Sequence, residues 1–117
     1  MSYQFYLVLH FIGLLLFFVS FGGMVVNSLM TEKNEKVRKQ LSVTHGLGLL
    51  VIIVSGFGLL AKAGFGFQGW VIVKIVIWLI FGASIVFLKK PKMNNVVWNA
   101  VILLGFIAVY LAVFKPF

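Results

Sequence analysis

Residues 68–88 read Gln68-Gly-Trp70-Val-Ile-Val-Lys74-Ile-Val-Ile-Trp78-Leu-Ile-Phe-Gly82-Ala-Ser84-Ile-Val-Phe-Leu88. An apolar run of this length with a single charge is too long for a soluble core. It matches the roughly 20 helical residues that cross a bilayer's hydrocarbon. Three further runs are of the same kind, at about 3–30, 37–61 and 95–114. The connectors between the four are short, at 31–36, 62–67 and 89–94. Loops of that length make consecutive helices antiparallel neighbours. The expected fold is therefore all-α: one domain over residues 1–117, a four-transmembrane-helix antiparallel bundle.

Composition agrees. Of the 117 residues 62% are hydrophobic and only 10% are charged, where soluble domains carry about a quarter. This excludes a soluble globular enzyme, a disordered tail and a nucleic-acid-binding domain; the lipid bilayer is the expected surrounding. The absence of cysteine excludes disulfides, thiolate metal sites and cysteine nucleophiles. The opening Met-Ser-Tyr-Gln-Phe-Tyr lacks the basic start of a signal peptide, so the first run reads as a mature transmembrane helix.

The net charge of +8 sets orientation. Lys33, Lys36, Arg38, Lys39, Lys89, Lys90 and Lys92 flank the first and third connectors, whereas the other side holds only Lys62 and Lys115. By the positive-inside rule the first and third connectors are expected to be cytoplasmic and both termini periplasmic, taking the membrane, from the chain's size, as a bacterial inner membrane. Tyr3, Tyr6 and Trp70 then fall near the outer interface and Trp98 near the inner one. Lys89-Lys90-Pro91 ends the third helix, and Asn94 or Asn95 is expected to cap the fourth. The small residues Gly46, Gly48, Ser55, Gly56 and Gly58 mark the second helix as the packing centre.

Ionisable groups are costly in lipid and face a bundle's interior. The spans hold His10, His45 and Lys74, and no Asp or Glu. With helix centres near Phe17, Leu50, Leu79 and Gly105, His10 lies roughly 10 Å outward of the midplane and Lys74 roughly 7–8 Å outward. His45 lies roughly 7–8 Å toward the cytoplasm, about 18 Å from His10 along the membrane normal. The two histidines cannot share one metal, since metal–imidazole bonds are about 2 Å. Either there are two sites or one histidine alone is a ligand. The outer site gathers His10, Lys74, Ser55 and Tyr110. A histidine there can ligate haem iron, making His10 the metal candidate. With no carboxylate at its depth, Lys74 can pair with an anionic ligand, or it can snorkel to the headgroups. His10 can equally be a hydrogen-bonded core histidine. The inner cluster holds His45, Ser84 and Asn99, with Thr44 and Asn27, and serves either as interhelical glue or as a second cofactor-binding site.

Some families are excluded. A small multidrug exporter needs a Glu in its first helix, and a dual-topology channel would not carry this charge bias. No phosphate loop or catalytic triad pattern is present.

Tyr6-Leu-Val-Leu-His10, Gly69-Trp70-x-x-x-Lys74 with Gly82 and Lys89-Lys90, His45 with Ser55-Gly56, and the ending Phe114-Lys115-Pro116-Phe117 together resemble small four-helix membrane proteins. These are the SirB-like family and the HemJ-type protoporphyrinogen oxidases. The families' Arg near the end of the first helix is replaced here by Gly23-Met24-Val25-Val26-Asn27, and the HemJ-type histidine late in the third by Ser84-Ile85-Val86. The resemblance implies a haem-associated redox protein with haem b as cofactor, His10 and Lys74 as cofactor-binding residues, Lys74 as the catalytic group, and a porphyrin or other anionic small molecule as partner. The alternative is a non-catalytic accessory or structural subunit, acting as a homo-oligomer or in a larger membrane complex.

Overall fold

In a computed structural model of the protein, residues 2–30, 32, 34–64, 66–88 and 91–115 are described, with the side chain of Pro91 excepted. Four helices account for nearly all of them: α1 (Tyr3–Leu29), α2 (Glu35–Ala63), α3 (Gly69–Phe87) and α4 (Asn94–Phe114). A single 3-10 turn, Pro91–Met93, precedes α4. The fold is all-α, as expected, and each of the four helices is long and apolar enough to cross a membrane. The chain thus reads as an integral membrane protein. It divides into two compact units, the α1–α2 hairpin and the α3–α4 hairpin.

The helix ends follow local chemistry. Ser2 caps α1 by accepting from the Phe5 N–H at 3.2 Å, and Asn34 caps α2 by accepting from Val37 at 3.1 Å. The Asn34 cap starts α2 at Glu35 rather than at 37. Gly64 then closes α2 in the left-handed conformation (φ 76°), its N–H reaching the Leu60 carbonyl. The expected cap of α4 is corrected. Met93 occupies the cap position without a side-chain bond, and Asn94 is the first helical residue, buried at 2% exposure. The 3-10 turn from Pro91 delivers the chain into α4, so no side-chain cap forms. Lys33, Lys89, Lys90, Phe65, Pro116 and Phe117 lie outside the described residues.

The 29 residues of α2 extend about 43 Å, well beyond a hydrocarbon core of about 30 Å. Its first turns therefore stand in the headgroup region or water. Glu35, Lys36, Arg38 and Lys39 are all exposed there. Arg38 pairs with Glu35 at 3.1 Å, a solvated contact that contributes little to stability.

Pairing within the first hairpin is antiparallel: Tyr6 meets Gly58, His10 meets Gly56, Gly13 meets Ile52 and Gly48, and Gly23 meets Leu41. Backbone meets backbone at the crossing of Gly13 and Gly48. A Cβ on Gly48 would lie 2.8 Å from the Phe17 nitrogen and 3.0 Å from the Gly13 carbonyl oxygen. A Cβ on Gly13 would lie 2.9 Å from the Ile52 nitrogen. Backbone atoms cannot move aside, so both positions require glycine. Phe17 (0% exposed), Phe21, Met24, Val25 and Ile52 are buried in the same hairpin. Gly46 differs: nothing stands within 4 Å of a Cβ placed there.

Gly48→Ala should therefore destabilise the protein by about 1–3 kcal/mol, the usual cost of overpacking. Gly46→Ala should be neutral, or stabilising by up to about 1 kcal/mol from helix propensity. Thermal unfolding in detergent micelles measures both, and equal midpoints for the two variants would refute the crossing.

Candidate functional site around His10

His10 lies on α1 and Ser55 on α2, and the antiparallel pairing brings them to one level. The His10 Nδ1 is 3.0 Å from Ser55 Oγ and 3.2 Å from the Ile52 carbonyl oxygen. A carbonyl can only accept, so Nδ1 carries the proton. Ser55 in turn donates its own hydroxyl to the Val51 and Ile52 carbonyls, which leaves its oxygen to accept from His10. In a neutral imidazole this arrangement is the Nδ1–H tautomer, whose lone pair is on Nε2. Histidines that bind metals are oriented in this way, by a hydrogen bond from the other ring nitrogen. Ser55 is fully buried and His10 half-buried. Gly56 lies under the ring, at 3.6 Å from Cε1 to the position of a Cβ.

His45 is on the same hairpin but at another level. It is 2% exposed, with its ring centroid 4.9 Å from that of Phe17, which stacks in turn on Phe21 at 6.0 Å. Ten residues of α2 separate His45 from Ser55, about 15 Å of helix rise. The histidines are thus at separate levels, in agreement with the depths read from the sequence. Among the described residues no three His, Cys, Asp or Glu side chains gather as a metal cluster.

The other polar residues expected near the histidines resolve individually. Asn27 is buried and accepts from the Asn34 N–H at 3.3 Å, which ties the end of α1 to the start of α2. Thr44 donates to the Gln40 carbonyl and Ser84 to the Phe81 carbonyl, each within its own helix. Asn99 and Tyr110 are exposed on α4.

Lys74 belongs to the second hairpin. It is half-buried, one turn beyond Trp70 on α3. The Lys115 Nζ lies 5.6 Å from the Trp70 ring centroid and donates to the Ala112 carbonyl at 2.7 Å. The Trp70 Nε1–H donates to Gln68 Oε1 at 2.6 Å. Sequence reasoning missed this group. The Gln68-x-Trp70 spacing was its available signal, since a side chain just before a helix can reach the indole two residues on. It also missed Asn94, whose side-chain nitrogen and oxygen are buried without a hydrogen bond among the described residues.

No protein-family model, no curated protein and no solved structure matches the chain.

The His10–Ser55 contact crosses between helices, whereas the fully buried Ser20 bonds only to the Leu16 and Phe17 carbonyls of its own helix. Ser55→Ala should cost about 1 kcal/mol, within the range of interhelical bonds in lipid, and Ser20→Ala close to nothing. Thermal unfolding of the two variants side by side is the test; a larger loss for Ser20→Ala would contradict the assigned bonding.

Proposed function

We propose that this chain is a small integral membrane protein whose α1–α2 hairpin carries a single histidine ligand site at His10, and that the ligand is haem b. The observation that carries the reading is the fixed imidazole. With Nδ1 donating to the Ile52 carbonyl and to Ser55, Nε2 is the nitrogen with the electron pair a metal takes. A neutral imidazole is the donor that haem iron accepts on one axial side. The identity of the ligand comes from the resemblance to SirB-like and HemJ-type proteins. His45, about 15 Å along α2, would not be the second axial ligand of the same iron.

Bound haem would supply one-electron redox chemistry. The chain's part is to hold the ring nitrogen at a set angle and tautomer, and to keep it in an apolar, water-poor surrounding that tunes the potential. A catalytic or carboxylate-binding role for Lys74, in a porphyrinogen oxidase or a relative of one, belongs to the same proposal.

His10→Ala should abolish the Soret band of protein purified after haem supplementation while leaving helix content unchanged. His45→Ala should lower the unfolding temperature and keep the band. A full spectrum in His10→Ala would reject the assignment, and a wild-type protein that takes up no haem would reject the haem reading altogether.

A second reading is an accessory subunit of a larger membrane assembly. Asn95 and Asn99, one turn apart on α4 and both exposed, favour it, because amides in a span are satisfied by hydrogen bonds to other helices. Stoichiometric co-purification with a larger complex, in the absence of a Soret band, is what this reading requires.

The proposed orientation places both termini in the periplasm. Cysteine introduced at Gly66 should react with a membrane-impermeant maleimide added to intact cells, and cysteine at Lys36 should react only after lysis. Both positions are exposed, at opposite ends of α2. The reverse pattern would put His10 in the cytoplasmic half.

A further inference from the structure

One side of α4 is buried, at Asn94, Val97, Val101 and Leu111. On the opposite side Asn95, Asn99, Ile102, Phe106, Val109 and Val113 succeed one another at alternating steps of four and three residues. That spacing keeps them on a single helix face. All are exposed except Ile102, which is half-buried. Apolar side chains on such a face need only lipid around them. An amide in hydrocarbon needs a hydrogen-bonding partner. Asn99 is five residues from Leu104, the midpoint of α4, which is roughly 7–8 Å along the axis. The hydrocarbon extends about 15 Å from its midplane, so Asn99 lies within it. Among the described residues no hydrogen bond reaches the Asn99 side chain.

We propose that this face of α4 is the interface of a homodimer, in which the Asn99 side chains of the two copies hydrogen-bond to each other. A carboxamide carries both donors and an acceptor, so it complements another of its own kind. Copies with the same Lys/Arg bias insert the same way round, and a two-fold axis along the membrane normal sets each residue level with its counterpart. Symmetry thus supplies what any other helix would have to match by design, an amide at the depth of Asn99. The four-and-three spacing is that of a left-handed helix pair, in which a polar residue in the apolar seam fixes the register. Asn95 is one turn nearer the start of α4, where water competes for its amide, so Asn99 carries the interaction. This inference goes beyond the accessory-subunit reading, which leaves the partner open, and is independent of whether His10 binds haem.

The chain has no cysteine, so single-cysteine variants of the full protein in its membrane report the interface directly. Mild oxidation should link Phe106→Cys and Val109→Cys into disulfide dimers. Ile107→Cys is at the depth of Phe106 but roughly 100° around the helix, and should stay monomeric. Dilution of labelled protein in detergent micelles, followed by energy transfer, gives the dissociation constant of the dimer. Asn99→Leu should raise it about three- to thirty-fold, the equivalent of one interhelical hydrogen bond in lipid. Asn99→Gln keeps the amide and should stay close to the wild type, which separates loss of the hydrogen bond from misfolding. No linking at residue 106, equal linking at 106 and 107, or an unchanged constant in Asn99→Leu would each overturn the dimer. A wild-type chain that is monomeric when purified alone and stoichiometric with another polypeptide in the membrane would overturn it in favour of the accessory-subunit reading. A dimer without a Soret band would uphold it while rejecting the haem reading.

Discussion

The backbones of α1 and α2 touch where Gly13 crosses Gly48, and the first hairpin is organised by that contact. Lipid tails are as apolar as leucine, so helices in a bilayer gain little from burying apolar side chains against each other. They gain from close approach, which small residues permit. With the crossing in place, residues along α1 meet α2 in fixed pairs. Phe17 and His45 come together on one side of it. On the other, His10 reaches Ser55. A side chain at either glycine would separate the helices where their backbones meet, and the His10 hydrogen bonds would lengthen with it. The candidate ligand site thus depends on two residues that contribute no functional group.

The second constraint is that polar groups in hydrocarbon must be satisfied. Ser20, Ser55 and Ser84 each return their hydroxyl to a carbonyl of the preceding turn, which lets a small polar residue occupy a tight interface at little cost. Ser55 has an additional use. Because its hydrogen is committed to its own helix, its oxygen can only accept, and this helps fix the tautomer of the histidine opposite. Asn27 is satisfied differently, by the backbone N–H of Asn34 in the connector, and so closes the other end of the hairpin.

These two constraints explain how much was legible beforehand. The helices were, since length and apolarity alone mark a span. The level shared by His10 and Ser55 was also legible, because antiparallel neighbours with short loops make depth a matter of counting. Rotation about each helix axis was not. Small-residue content marks α2 as a packing helix but does not say that Gly48 faces α1 while Gly46 faces open space. Depth also says nothing of which face of α4 carries Asn99, which is exposed. The cap of α4 was misjudged because the Pro91 turn determines how the chain enters the helix, leaving Met93 at the cap and Asn94 inside it. Lys74 was matched to His10 on depth, and the two lie in different hairpins.

The two hairpins differ in the kind of ionisable residue they carry within the spans. In the first, His10 is bonded to Ser55 and Ile52, and Asn27 to Asn34. In the second, two lysines share one end of a segment in which every ionisable side chain except Tyr110 is a lysine. The first hairpin thus sets the position of its outer histidine through Ser55 and Ile52, and the second sets Trp70 between Gln68 and Lys115.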